Sequence, residues 1–317
     1  MRISETCCKE LKLDASRVLL AQGTLRPDLI ESASKLANTS GTASTIKTHH
    51  NDTALVRRLR DQGSIIEPLK DYHKDEVRAL GMDLGLPKHL VWRQPFPGPG
   101  LAIRILCARK PYLPENCDKI GKDISDVVTS INTSVKSTLL PCRSVGVQGD
   151  CRSYRSLVGL SCSSTNPNWS ELLKIAREIP KKNHSVNRIV YVFGSELKES
   201  VIKTITPTVL SKECTNQLRA ADDIVNQTLI KYDLIRKMSQ VPVILFPCDF
   251  GVKGSRAIAV RTFITNDFMT GVPATPGKEM PSDALSEIVS RILKEVPGVS
   301  RVCYDLTSKP PATTEWE

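Results

Sequence analysis

Residues 47–51 combine several groups that can contact phosphate oxygens. They read Lys47-Thr48-His49-His50-Asn51, and they stand directly before a predicted helix. Histidines titrate near neutrality, so this set can respond to a bound anion. His49 and His50 are adjacent, and in an extended segment their rings point in opposite directions, which disfavours chelation of one metal ion. A solvated polar loop is an equally good interpretation of the segment.

A second candidate surrounds Arg26. Residues 21–28 (AQGTLRPD) join the end of an apolar run to a glycine turn, a cation and a predicted helix start, where Asp28 and Glu31 form a capping pair. Backbone donors and a guanidinium together suit a carboxylate or a phosphate. A plain capped turn is the alternative.

The third candidate is the segment 308–317 (SKPPATTEWE), which carries Lys309, two prolines, Glu315 and Trp316. Most chain ends are frayed and polar. The stiff proline pair and the tryptophan predict instead that this tail folds back onto the protein. A mobile tail with a sticky aromatic residue is the alternative.

The elements that must position these residues fall on two sides of a rigid bend at residues 95–100 (PFPGPG). Before the bend, periodicity predicts helices over about 28–38, from Asn51-Asp52 onward, and over 73–85. We therefore predict one domain over residues 1–94 and another over residues 95–317.

The second domain contains an internal repeat of strand, strand, helix, proline and strand. A long helix is predicted between the copies over 207–238, with Thr206 as its N-cap and Pro207 at its first position. The fold class is α/β (α+β), with two β-β-α-β subdomains over about 101–205 and 206–317. The predicted elements of the copies are 144–148, 153–160, 169–179 ending at Pro180, and 188–193, then 242–247, 256–265, 283–296 followed by Pro297, and 301–306.

Composition restricts the class of protein. The net charge of +10 and a pI near 9.1 favour an anionic partner, but the basic residues are dispersed and aromatics make up only 5% of residues, so nucleic acid is a secondary possibility. The ten cysteines show no C-x-x-C pair, which predicts free thiols in a reducing compartment and no metal site. With no signal sequence and no long apolar run, we expect a cytosolic protein without membrane attachment.

Seven segments, found in the same order along the chain, are similar to GMP synthase. The resemblance covers nearly the whole chain except the stretch 110–140. The segments are Lys47–Asn51 (KTHHN), Glu67–Lys70 (EPLK), Lys74–Arg78 (KDEVR), Phe96–Arg104 (FPGPGLAIR), Val147–Arg152 (VQGDCR), Arg261–Gly271 (RTFITNDFMTG) and Thr307–Glu317 (TSKPPATTEWE).

The resemblance implies a ligase of purine biosynthesis that converts xanthosine 5′-monophosphate (XMP) to GMP. ATP, with Mg²⁺, adenylates the purine O2, and ammonia from glutamine then displaces AMP. Adenylation turns a poor leaving group into a good one, and cationic groups stabilise the departing pyrophosphate. Residues 1–94 would be the end of the ATP-pyrophosphatase domain, and the rest would be the C-terminal domain that forms a homodimer and completes the XMP site.

The resemblance also assigns candidate site residues. Lys47 is the candidate catalytic cation of a lid over ATP. His49, His50 and Asn51 belong to the same lid on the ATP side. Lys309 suits the substrate phosphate as a point charge. The residues that would contact XMP are Arg26, Asp150, Gln240, Lys309 and Glu315.

Two family features do not occur in this sequence. The S-G-G-x-D-S loop that cradles pyrophosphate is absent, and so is the glutaminase domain; Cys7-Cys8 stands in no nucleophile turn. We therefore expect the chain alone to be inactive and to need the N-terminal pyrophosphatase and glutaminase domains as partners. The first explanation is a fragment of a full enzyme. The alternative is a non-catalytic paralogue that acts as a dimerising scaffold or regulator.

Overall fold

The computed structural model describes residues 2–14, 17–26, 29, 53–94, 96–148, 151–265 and 270–317. The chain divides into two compact units, Met1–Arg93 and Gln94–Glu317. The predicted helix over 28–38 lies outside the described residues, apart from position 29.

The first unit carries four described helices and one pair of short parallel strands. Leu20 pairs with Ile65 in that sheet, and Ala21 pairs with Ile66. Its elements are α1 (Arg2–Glu10), β1 (Leu20–Ala21), α2 (Ala54–Asp61), β2 (Ile65–Ile66), α3 (Lys74–Asp83) and α4 (Lys88–Val91).

Two of the predicted helix starts can be compared with this unit. Helix α2 is capped by the Thr53 side chain, which accepts a hydrogen bond from the backbone N–H of Val56. Helix α3 begins after His73, whose backbone N–H donates to the Glu76 carboxylate. The helix predicted over 73–85 is confirmed, whereas the start at Asn51-Asp52 falls on residues outside the described part.

The second unit is built on one six-stranded sheet, ordered β3-β4-β5-β8-β7-β6. Both halves have the predicted β-β-α-β order, and they meet where β5 pairs antiparallel with β8. The α/β fold class is confirmed. The elements are a 3₁₀ helix (Gly100–Arg104), α5 (Cys117–Thr129), β3 (Val135–Gln148), β4 (Cys151–Cys162), α6 (Trp169–Lys182), β5 (Val186–Val192), α7 (Lys212–Lys231), β6 (Val243–Phe246), β7 (Arg256–Val260), α8 (Ser282–Glu295) and β8 (Val299–Asp305).

Several predicted boundaries in this unit are wrong. Helix α7 begins after its N-cap Ser211 and not at Pro207. The reason is that Thr208 exchanges two backbone hydrogen bonds with Ala108, which keeps the chain extended there. Pro180 lies inside α6 and does not end it. The first hairpin is also longer than predicted, because the strands continue past an irregularity between Leu140 and Arg143.

The core lies on both faces of the sheet. Alternate strand residues point to opposite faces, so Ile189 and Tyr191 pack with the helices while Val190 and Val192 pack on the other side. Among the described residues, the buried cluster on that second side contains no helical residue; irregular segments and Trp316 pack there. No helix in the described part of the chain is long and apolar enough to span a bilayer.

Candidate functional site

The tail predicted from its prolines and tryptophan is built into the sheet of the second unit. The backbone N–H of Val145 donates to the Trp316 carbonyl at 2.8 Å, and that of Val147 donates to the Pro311 carbonyl at 2.7 Å. Trp316 is fully buried, and its indole N–H donates to Oδ2 of Asp305 at 3.1 Å. The folded-back tail is confirmed, and it covers part of the free edge of β3.

A buried ion cluster lies beneath the tail. Nη1 of Arg188 donates to Asp305 Oδ2 at 2.7 Å, and Nη1 of Arg261 lies 2.9 Å from the same oxygen. Arg261 also donates to the Thr307 carbonyl at 2.9 Å, at the base of the tail. All three charged side chains are fully buried. Two cations therefore share one carboxylate and fix the start of the tail.

The pKa directions of this cluster follow from burial and charge. Burial on its own would raise the pKa of Asp305, but the Arg261 and Arg188 guanidinium groups outweigh it, and the pKa lies below its ordinary value of 3.8. Burial lowers the pKa of Arg188 to about 10 although Asp305 opposes the shift. Arg188 and Asp305 are therefore both charged near neutral pH.

Phe263 contacts Gln240 through its backbone and Lys309 through its ring. The backbone N–H of Phe263 donates to the Gln240 carbonyl at 2.9 Å, and Nζ of Lys309 lies 5.8 Å from the centre of the Phe263 ring. Lys309 also exchanges two backbone hydrogen bonds with Gly271. A Cβ atom at Gly271 would overlap the Phe263 ring, so this packing requires glycine. Two of the predicted XMP contacts thus share one aromatic neighbour.

Glu315 is held by a cation that the sequence did not single out. Nε and Nη2 of Arg104 each donate to one oxygen of the Glu315 carboxylate, both at 3.1 Å. Arg104 is almost completely buried, and its Nη1 lies 3.8 Å from Asp222. Burial raises the pKa of Asp222 although Arg104 opposes the shift. The two hydrogen bonds from Arg104 fix the position of the Glu315 side chain in the tail.

The other predicted site residues are Arg26 of the first unit and five residues outside the described part of the chain. Arg26 lies in the first unit, is exposed, and donates its backbone N–H to the Tyr72 carbonyl at 3.1 Å. The strands on both sides of Asp150 are described, and Gly146 in β3 pairs with Ala312 of the tail. The predicted residues that lie outside the described part are Lys47, His49, His50, Asn51 and Asp150.

Neither the expected metal nor a disulfide gains support from the described residues. Within those ranges, no group of three or more His, Cys, Asp or Glu side chains could hold a metal ion. The nine cysteines whose side chains are described are free thiols. Burial raises the pKa of Cys248 to about 12, so this thiol stays protonated.

The class of protein follows from comparison with known families. Residues 227–316 match the family model of the GMP synthase C-terminal domain, a range that contains Gln240, Phe263, Lys309 and Glu315. The chain belongs to the GMP synthase family, and it corresponds to the C-terminal portion of its relatives.

Three relatives show the extent of the similarity. A GMP synthase (glutamine-hydrolysing) of Dictyostelium discoideum is 50% identical, over 100% of this chain and 49% of that protein. A probable GMP synthase of Caenorhabditis elegans is 43% identical, over 100% of this chain and 50% of that protein. One from Leptospira interrogans is 38% identical, over 98% and 48% respectively. The chain spans about half the length of the curated relatives it matches.

Proposed function

We propose that this chain is the part of a GMP synthase that holds XMP while ATP and glutamine-derived ammonia convert it to GMP. The observation that carries the proposal is that Phe263 contacts both Gln240, through its backbone, and Lys309, through its ring, beside the tail that is folded into the sheet. A lysine ammonium is a compact charge that suits a phosphate group. The names of the relatives, GMP synthases all, support the assignment.

In this proposal the chain's own residues bind and orient the substrate. Lys309 neutralises the phosphate, and Gln240 and Asp150 hydrogen-bond the ribose or the base. The tail excludes water from one side of the nucleotide. When bound, ATP with Mg²⁺ supplies the adenylating group, and Lys47 with His49, His50 and Asn51 would close over it. Arg26 is a further proposed contact of XMP.

Calorimetric titration of the purified chain with XMP, and with GMP for comparison, tests the proposal. Lys309→Ala removes the cation proposed to neutralise the substrate phosphate, and it should weaken XMP binding at least about tenfold, which corresponds to about 1.4 kcal/mol. Lys294→Ala changes an exposed lysine on α8 and serves as the matched control. Equal affinities of wild type and Lys309→Ala would contradict the proposal.

We also propose that the chain alone is inactive and that it forms a homodimer in the complete enzyme. The sequence carries no S-G-G-x-D-S loop for pyrophosphate, which supports the first statement. Incubation with XMP, ATP, Mg²⁺ and ammonia should yield no GMP by chromatography. Formation of GMP would contradict it, and light scattering on the same sample measures the association state.

A further inference from the structure

The side chain of Gln94 holds the loop that carries Gln240. Its Nε2 donates to the carbonyls of Ile235 and Met238, at 3.3 and 3.1 Å. Its Oε1 accepts from the backbone N–H of Val241 at 3.0 Å. Both donor hydrogens and the acceptor of the amide are thereby used, and each bond is to main chain. One side chain therefore fixes the loop on both sides of Gln240.

The side chain of Arg104 holds the tail that carries Glu315. Its planar fork takes both carboxylate oxygens, a geometry that fixes orientation as well as distance. Two residues further on, the backbone is anchored to the sheet, since the N–H of Leu106 donates to the Leu245 carbonyl at 2.8 Å. The Phe96 ring lies 5.6 Å from the guanidinium carbon.

The turn between these two side chains is built to be stiff. Gly100 has a φ of +70°, which favours glycine, and a Cβ there would stand 4.0 Å from the Phe96 ring. Pro97 and Pro99 restrict the backbone next to it. The segment that begins at Gln94 thus joins two anchors through a turn with little freedom.

We propose that Gln94 and Arg104 are positioning residues of the nucleotide site: Gln94 sets the loop of Gln240, and Arg104 sets Glu315 and the tail that bears Lys309. This inference rests on the proposed function. It explains the FPGPGLAIR segment, which contributes none of the predicted substrate contacts. Because each side chain acts through a different segment, the two should act independently on nucleotide binding.

Double-mutant cycles test this division of roles. Arg104→Lys keeps the charge and loses the fork, and it should weaken XMP binding about tenfold. If Arg104 acts through Glu315, then adding Glu315→Gln should bring little further loss, because residues in one network are not additive. Gln94→Met with Gln240→Ala should behave in the same way. The crossed pair, Gln94→Met with Glu315→Gln, should be additive, at about a hundredfold.

Arg256→Lys is the matched control. Arg256 is also buried, at 6% exposure, and its Nη1 lies 2.8 Å from one carboxylate, that of Glu213. Arg256→Lys should lower the thermal midpoint as Arg104→Lys does, while its XMP affinity stays within about twofold of wild type. A loss of affinity in Arg256→Lys equal to that in Arg104→Lys would show a general effect of stability and overturn the proposal.

Hydrogen exchange provides a readout that needs no ligand. The amides of Val145 and Val147 donate to the tail, and that of Val241 donates to Gln94. Arg104→Lys should speed exchange at the first two, and Gln94→Met at the third, at least tenfold. Unchanged exchange at these amides would overturn the positioning roles. If Gln94→Met folds poorly, the exchange of Val145 and Val147 in Arg104→Lys still decides the role of Arg104.

The two readouts separate this inference from the proposed function. Faster exchange in the variants, together with no XMP binding by wild type, keeps the positioning roles and rejects the nucleotide site. XMP binding by wild type that neither Arg104→Lys nor Gln94→Met weakens keeps the site and rejects the positioning roles. Additivity of Arg104→Lys with Glu315→Gln also rejects them.

Discussion

The strands of the two units differ in how far they are buried. In the second unit every residue of β5, β6 and β7 is buried. In the first unit, β1 and β2 each pair an intermediate residue with an exposed one, and Ile66 is 45% exposed. Parallel strands are normally covered on both faces. The second unit therefore has its own core, whereas the described part of the first unit buries its short parallel strand pair only in part.

Separating the units should give the largest effect. Residues 94–317 expressed alone should unfold in one cooperative transition, because their sheet is packed on both faces. Residues 1–93 alone should show no cooperative transition, since a two-stranded sheet is marginal in water. Calorimetry and circular dichroism during heating measure both. A cooperative thermal transition of residues 1–93 would show that the first unit also has a core of its own, and would contradict this difference.

Removing one carboxylate from each unit should give the next largest effect. Asp305→Asn leaves two buried guanidinium groups without an anion, and it should lower the free energy of unfolding by about 3–5 kcal/mol. Glu67 of the first unit accepts from Arg60 and Thr24, and Glu67→Gln, which retains an acceptor, should cost only about 1–2 kcal/mol. Urea titration of the full chain compares the two, and equal costs would contradict the comparison.

The stability of the protein at acid pH provides a further test of the contribution of Asp305. The pKa of Asp305 in the folded state lies below its ordinary value of 3.8, mainly because Arg261 and Arg188 outweigh the effect of burial. Its contribution to stability is therefore complete above about pH 5 and is lost as the pH falls through the folded-state pKa. Wild type should lose stability below about pH 4, and Asp305→Asn should show a smaller slope there. An identical slope would contradict the assignment.

The smallest effect is expected from deleting one methyl group in a strand. Ile258→Val in β7, where the side chain is fully buried, should cost about 0.5–1.5 kcal/mol. Ile66→Val in β2, at 45% exposure, should change the free energy of unfolding by less than about 0.5 kcal/mol. Denaturant midpoints of the two variants, measured in parallel with wild type, compare these two costs. Equal shifts would mean that β2 is as well packed as β7.

Much of the fold could be predicted because its signals are local. The spacing of Leu172, Ile175, Ala176 and Ile179 predicts the buried face of α6, and all four are buried. The start of α7 could not be predicted in this way. Thr208 is kept extended by hydrogen bonds to Ala108, a hundred positions away, and this pairing overrides the local preference for a proline at the first helical turn.

The site was predictable only in part, for the same reason. Lys309 and Glu315 stand in a recognisable tail, but nothing near Glu315 in sequence indicates Arg104, which lies 211 positions away. Arg188 and Asp305 are likewise ordinary residues of strands until the sheet brings them together. Buried ion pairs between distant elements have no periodic pattern, so only the three-dimensional structure reveals them.

The antiparallel junction of β5 and β8 also has a consequence for the order of folding. Each half can form its hairpin and add its parallel strand from neighbouring sequence, but the halves join through residues such as Arg188 and Asp305, 117 positions apart. Contacts of such long range are slow because the loop between them must first close. We therefore expect joining of the halves to limit the folding rate, with Arg188 of the first half meeting Asp305 of the second only at that last step.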